Sequence, residues 1–174
     1  MRVLVTGAAG LVGQVLWRGL EADYELVGLD RNAPRSGPIA RADATRPRRL
    51  ARHFAGCDAV VDLAGFPSPG EPWTRILENN VPATLNVIQA AREAGVARYI
   101  FASSNHVTGL YERDEPYASI VAGRTAGLSP ERLSRLTSAD PIRPDSPYAV
   151  GKAFGEAAAR LAAETGGPSA ICLR

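Results

Sequence analysis

Tyr148-Ala149-Val150-Gly151-Lys152 sets a phenol and an ammonium four residues apart, the spacing that puts two side chains on one face of a helix. An unperturbed phenol has a pKa of about 10, so alone it is a poor acid–base group near neutral pH. A cation beside it lowers that value and brings it toward working range. The hydroxyl of Ser104, in the run Phe101-Ala102-Ser103-Ser104-Asn105-His106, could hold a substrate oxygen while Tyr148 moves its proton. Ordinary amphipathic helices also carry a tyrosine and a lysine at this spacing, so the pair gains its meaning from what stands upstream.

Upstream stands Thr6-Gly7-Ala8-Ala9-Gly10-Leu11-Val12-Gly13, after the apolar run Val3-Leu4-Val5 and before Val15, Leu16 and Leu20 at helical spacing. Strand, glycine turn and helix is the setting of a dinucleotide fingerprint, although the spacing is G-x-x-G-x-x-G rather than G-x-G-x-x-G. Gly7 permits the turn, Gly10 lets the backbone approach a pyrophosphate, and Gly13 lets the helix pack close to the sheet. Free N–H groups and the positive dipole end of the helix then face the phosphates. About twenty residues on, the second apolar run, Tyr24 to Leu29, ends in Asp30, where a carboxylate can bind the adenosine ribose hydroxyls. Asp30 selects NAD on this reading, and is a turn aspartate on the plainer one. Arg31 could accommodate the extra phosphate of NADP, but Asp30 would repel it, so NAD is expected.

At 174 residues the chain is expected to be one domain, 1–174, able to bury a proper core. A formal charge of +2 gives no argument for nucleic acid or a membrane surface as partner. The local excess of Arg46, Arg48, Arg49 and Arg52 reads as a solvated helix face. Cys57 and Cys172 form no metal-ligand spacing and read as reduced, buried thiols. No metal site is expected. With no apolar run near the length of a membrane span and the first strand entered at once, a cytoplasmic protein is expected.

The elements that must position these residues follow the alternation of the chain. Strands are expected at Val3–Val5, Tyr24–Leu29, around Ile39, Ala59–Gly65, Val96–Ala102 and Ser169–Leu173. Helices are expected after Gly10, from Pro47 to Phe54, from Trp73 to Ala94 with Pro82 disturbing it, and from Tyr148 to Glu164. Residues 110–146 read as loop, with a short helix from Pro130 to Leu136 capped by Ser129. Alternating strands and helices imply a doubly wound parallel α/β sheet of about six strands, a Rossmann domain in the order 3-2-1-4-5-6.

This succession resembles the extended short-chain dehydrogenase/reductase family, which includes the sugar-nucleotide epimerases and dehydratases. The matching residues are the glycine turn, Asp30, Asp43, Leu63-Ala64-Gly65, Asn80, Ser103-Ser104 and Tyr148-x-x-x-Lys152, in the family's order. The resemblance implies an NAD site made of Gly7, Gly10, Leu11, Val12, Gly13, Asp30, Arg31, Asp43, Leu63, Ala64, Gly65, Asn80, Ser103, Tyr148 and Lys152. Within it Asp43 approaches the adenine, Asn80 supports the strand end, and Lys152 holds the nicotinamide ribose while activating Tyr148. Ser104, Tyr148 and Lys152 are the implied catalytic set.

Ser103-Ser104-Asn105-His106, with Leu110-Tyr111, is further similar to the uronate dehydrogenases, which oxidise the anomeric carbon of a uronic acid to a lactone with NAD. That similarity implies sugar contacts from Ser68, Ser104, Asn105, His106 and Tyr148. The stretch between Ser104 and Tyr148 is longer than it implies, with 112–143 an insertion or lid. It also implies further strands and a substrate-capping region beyond Arg174, among them the arginine that meets the sugar carboxylate, a role Arg174 itself does not fill. Three readings remain open: a uronate or aldose dehydrogenase, a nucleotide-sugar epimerase or dehydratase, and an NAD-binding module without catalysis. A homodimer through helices 75–94 and 147–165 is an expectation of the same resemblance.

Overall fold

The computed structural model describes residues 1–34 and 36–174. Six strands, β1 (Arg2–Thr6), β2 (Glu25–Asp30), β3 (Ile39–Arg41), β4 (Ala59–Asp62), β5 (Arg98–Ala102) and β6 (Ser169–Leu173), form one sheet in the order β3-β2-β1-β4-β5-β6. Every adjacent pair is parallel. The strand order reverses between β1 and β4, so a crevice opens there at the carboxyl ends of the strands. Thr6, the last residue of β1, stands beside Asp62, the last of β4.

Alternate strand residues feed two cores, as a two-period strand buried on both faces requires. Leu4, Leu29, Val60, Tyr99 and Phe101 face helices α2 (Ala51–Phe54), α4 (Val81–Glu93) and α6 (Pro147–Glu164), and meet Phe54, Val87, Ala91 and Ala159. Val3, Val5, Ala59 and Val61 face the other way, against Leu16 and Trp17 of α1 (Leu11–Leu20). Gly155 lets α6 lie directly on the sheet, because a Cβ there would stand 2.4 Å from the Phe101 ring.

Several expectations are corrected. In α1, Leu11, Val12 and Val15 are exposed; Gly13 is the residue of the helix that is buried, and Leu16 and Trp17 make the inward apolar contact while only partly buried. The Trp73–Ala94 helix divides into α3 (Trp73–Arg75), a π-helical turn (Ile76–Asn80) and α4. Pro82 has no N–H to give the preceding turn, and the Val81 N–H bonds to the Ile76 carbonyl, one residue further back than in an α-helix. No helix extends to Leu136. A 3₁₀ turn spans Pro130–Arg132, and the Ser129 hydroxyl donates to Glu131 rather than capping the backbone. The loop-rich stretch instead holds a 3₁₀ helix (Asn105–Arg113) and α5 (Tyr117–Val121). Pro47–Phe54 is likewise two pieces, a 3₁₀ turn (Pro47–Arg49) and α2. Arg46, Arg48 and Arg52 are exposed; the Arg49 side chain lies outside the described ones, as does Arg35. Cys57 is buried as expected, whereas Cys172 is only half-buried on edge strand β6. Among the described residues, no helix is long and apolar enough to cross a membrane.

Candidate functional site

The crevice at the strand ends is a cavity of about 490 Å³, within the range of roughly 300–1,000 Å³ usual for small-molecule sites. Gly7, Gly10, Leu11, Val12 and Gly13 of the glycine turn line it, with Asp30, Arg31, Asp43, Leu63, Ala64 and Gly65. Gly7 has φ +65°, and a Cβ on it would lie 2.8 Å from the Leu63 carbonyl oxygen. A Cβ on Gly13 would lie 2.3 Å from the Gly7 oxygen, so only glycine lets the helix start this close to the strand. Gly10, the N-cap of α1, supplies no side-chain cap. The first N–H groups of a helix have no partner within it, and here they face a cavity. An anionic pyrophosphate fits that end.

Asp30 stands at the tip of β2. Its Oδ2 accepts from the Ala9 N–H at 3.1 Å and its Oδ1 from the Asn32 N–H at 2.7 Å, which ties the strand end to the glycine turn. Carboxylate oxygens have lone pairs to spare after one bond each, so the group can still accept from a diol. Arg31 turns away from it, its guanidinium 4.4 Å from the centre of the Phe66 ring, with Arg75 stacked on the same ring at 4.7 Å. Asp43 accepts from the N–H and hydroxyl of Thr45 at 2.9 and 2.8 Å. Burial alone would raise its pKa, but these bonds and the charges of Arg31 and Arg46 hold the carboxyl below its ordinary value.

Leu63–Gly65 is fixed from below. Thr6 Oγ1 donates to Asp62 at 2.5 Å and accepts from the Leu63 and Ala64 N–H groups, each at 3.1 Å. Asp62 is fully buried and also accepts from Tyr99 at 2.6 Å and Ala64 at 3.1 Å. Burial pushes its pKa up, opposed by those hydrogen bonds and by the charge of Lys152. Asn80 does not line the cavity. It sits behind, exchanging hydrogen bonds with Phe66 N–H and C=O at 2.8 and 3.0 Å, and so holds the loop that follows Gly65.

One strand further, the proposed chemical groups gather at the end of β5. Tyr148 and Lys152 lie one turn apart on α6, and both are buried. The Lys152 ammonium donates to the Ala102 carbonyl at 2.5 Å and stands 5.7 Å from the centre of the Tyr148 ring. Burial lowers the lysine pKa, and Asp62 opposes the shift. The Tyr148 ring meets His106 edge-on, centroids 6.1 Å apart. Ser104 N-caps the 3₁₀ helix by accepting from the His106 N–H at 3.2 Å, and Asn105 starts that helix. Two residues are placed otherwise. Ser103 turns its hydroxyl to Glu156 on α6 at 2.5 Å, where Arg174 also binds through two nitrogens. Ser68 accepts from Gly70 N–H within its own loop.

The model of the NAD-dependent epimerase/dehydratase family matches residues 3–174. The chain belongs to this family. It is similar to L-arabinose 1-dehydrogenase (NAD(P)(+)) of Haloferax volcanii, 34% identical over 99% of this chain and 65% of the relative. It is also similar to uronate dehydrogenase of Agrobacterium fabrum, 34% identical over 92% of this chain and 55% of the relative. A short-chain dehydrogenase/reductase superfamily protein from Agrobacterium tumefaciens, solved with bound NAD, superposes with a TM-score of 0.79 at 28% identity, covering 100% of this chain and 48% of that one. The chain thus spans about half to two thirds of the length of these relatives.

Sequence reasoning assigned no role to Thr6, Asp62, Phe66 or Asn79 in and behind the cavity, nor to Asp145 beside His106. Asp62 carried a signal, since an acid inside an otherwise apolar strand must find partners once buried. Asp145 carried a weaker one, three residues before Tyr148 and next to the Ser146 cap of α6. Phe66 and Asn79 give no pattern in the sequence; Asn79 lines the cavity and accepts from Arg31 only because the π turn brings it there.

Proposed function

We propose that this chain carries the cofactor site and the acid–base residues of an NAD-dependent dehydrogenase that oxidises the anomeric carbon of a uronic acid, or a related aldose, to a lactone. The observation that supports it most is the meeting of Tyr148, Lys152 and His106 at the end of β5, one strand from the cavity that the glycine turn lines. The L-arabinose and uronate dehydrogenase relatives support the same class of substrate.

On this reading the N–H groups of Leu11, Val12 and Gly13 hold the pyrophosphate of NAD, Asp30 its adenosine ribose, and Asp43 its adenine. Leu63, Ala64 and Gly65 lie along the dinucleotide, and Lys152 reaches the second ribose. Bound NAD supplies the acceptor for the electrons leaving the anomeric carbon. Tyr148 removes the proton of the anomeric hydroxyl, with Lys152 one helical turn away on the same face of α6. Ser104, Asn105 and His106 orient the sugar. Ser103 acts through Glu156 on the shape of the strand end, and Ser68 belongs to the loop above.

The family description favours a second reading, an epimerase or dehydratase, which returns the electrons to its substrate. Parallel incubations with NAD, one with galacturonate and one with a nucleotide sugar, separate the two. Accumulating NADH supports the dehydrogenase, conversion of a nucleotide sugar without net NADH supports the alternative, and NAD binding with neither leaves a binding module. Leu77 and Leu85, with Val150, Phe154 and Leu161 of α6, are exposed apolar side chains on the 75–94 and 147–165 helices, and they support self-association of two copies through those helices.

A further inference from the structure

His106 and Asp145 form a pair whose geometry reaches beyond orientation of a sugar in general. The His106 Nδ1 lies 2.6 Å from Asp145 Oδ2. The other carboxylate oxygen, Oδ1, accepts from the Ser146 hydroxyl at 2.8 Å. Ser146 is itself fixed, because its hydroxyl oxygen caps α6 by accepting from the Ala149 N–H. The backbone delivers the aspartate to the ring. Arg143 N–H donates to the Val107 carbonyl, Leu110 N–H to that of Arg143, and Asp145 N–H to that of His106. Gly109 leaves the space the carboxylate occupies, since a Cβ there would stand 2.0 Å from Asp145 Oδ2. Residues 39 apart in sequence are therefore brought together by a dedicated arrangement.

An ionised carboxylate only accepts hydrogen bonds. Burial alone would raise the Asp145 pKa, but the bonds from His106 and Ser146 hold the group below its ordinary value, in its ionised form. The proton on a neutral His106 then sits on Nδ1, and Nε2 presents a lone pair. Nε2 has no hydrogen-bond partner among the described residues, and a third of the side chain is exposed, 34%. A lone pair accepts from a hydroxyl and repels a carboxylate.

We infer that Asp145 is a positioning residue that holds His106 in the Nδ1–H tautomer, so that Nε2 reads a hydroxyl hydrogen of the sugar and not a carboxylate. This rests on the proposed placement of His106 against the sugar. It follows that His106 treats a neutral aldose and a uronate alike, and that any choice between them is made by other groups.

The chain has two histidines, so the ring nitrogens of His106 can be read by ¹⁵N NMR at a pH where the ring is neutral, without any sugar. The wild type is expected to show the Nδ1–H tautomer. Asp145→Ala should move the ring toward Nε2–H, and Asp145→Asn, whose amide oxygen can still accept, should retain Nδ1–H. An Nε2–H ring in the wild type, or no change in Asp145→Ala, overturns the role of Asp145 whatever the substrate. The second arm is the KM for galacturonate and for L-arabinose. Both should rise on the order of tenfold in Asp145→Ala and recover in Asp145→Asn, with kcat changed less. Unmoved KM values beside the expected tautomer change would overturn the hydroxyl reading and leave the cofactor assignment standing.

Discussion

The hydroxyl of Thr6 spans the boundary between β1 and β4, giving its proton to Asp62 and taking the N–H groups of Leu63 and Ala64 on its two lone pairs. A hydroxyl has one donor and two acceptor sites, and all three are used. Thr6→Val keeps the shape and removes all three bonds, leaving the Leu63 N–H without its acceptor under the cofactor cavity. An unfolding loss of about 1–3 kcal/mol is expected, together with several-fold weaker NAD binding in calorimetry; Thr6→Ser should recover both. Wild-type behaviour of the valine variant would remove Thr6 from the account.

Cofactor choice rests on Asp30. The wild type is expected to bind NAD more tightly than NADP, because an added phosphate would face the carboxylate, and Asp30→Ala should narrow the difference. Arg31 gives NADP little help while it is stacked on Phe66. Competitive titration of the two cofactors decides the point, and tighter NADP binding by the wild type contradicts the assignment.

Tyr148→Phe keeps a buried ring in place and removes the acid–base oxygen. In a protein with a complete substrate pocket, turnover should fall by a factor on the order of 10² or more while NAD affinity stays nearly intact. Lys152→Met removes the ammonium that binds the Ala102 carbonyl and, on the proposed reading, the ribose contact. It should damage both turnover and NAD affinity. Equal turnover by wild type and Tyr148→Phe is the result that rules out the phenol.

The pair of His106 and Asp145 also makes stability depend on pH. The Asp145 pKa is depressed in the folded state, so the unfolded chain takes up its proton first as pH falls. Its contribution is present above the ordinary aspartate value of 3.8 and disappears as pH drops below it through the folded value. Thermal unfolding of the wild type and of Asp145→Asn should therefore differ near neutrality and converge toward pH 3. A gap of constant size across that range would detach Asp145 from the effect.

The strand order, the glycine turn and the acid at the tip of β2 are legible in the sequence because each is a local pattern: an apolar run, a glycine spacing, a charge at a strand end. Tyr148 and Lys152 are legible because helix periodicity puts them on one face. What the sequence does not carry is contact across long separations. Asp145 meets His106 through pairing of 143–145 with 106–110, inside a stretch that reads as loop. Asn79 reaches the cavity through a π turn that Pro82 explains only afterwards. Ser103 and Ser104 look equivalent in a row, yet adjacent residues point apart, one to Glu156 and one into the cap of the 3₁₀ helix.

The anomeric carbon itself can be followed. Galacturonate deuterated at C1, incubated with the protein and NAD, should give NADH carrying the deuterium and a lactone without it, more slowly than the unlabelled sugar does. Deuterium retained in the sugar product while unlabelled NADH forms would place the oxidation at another carbon and contradict the central claim.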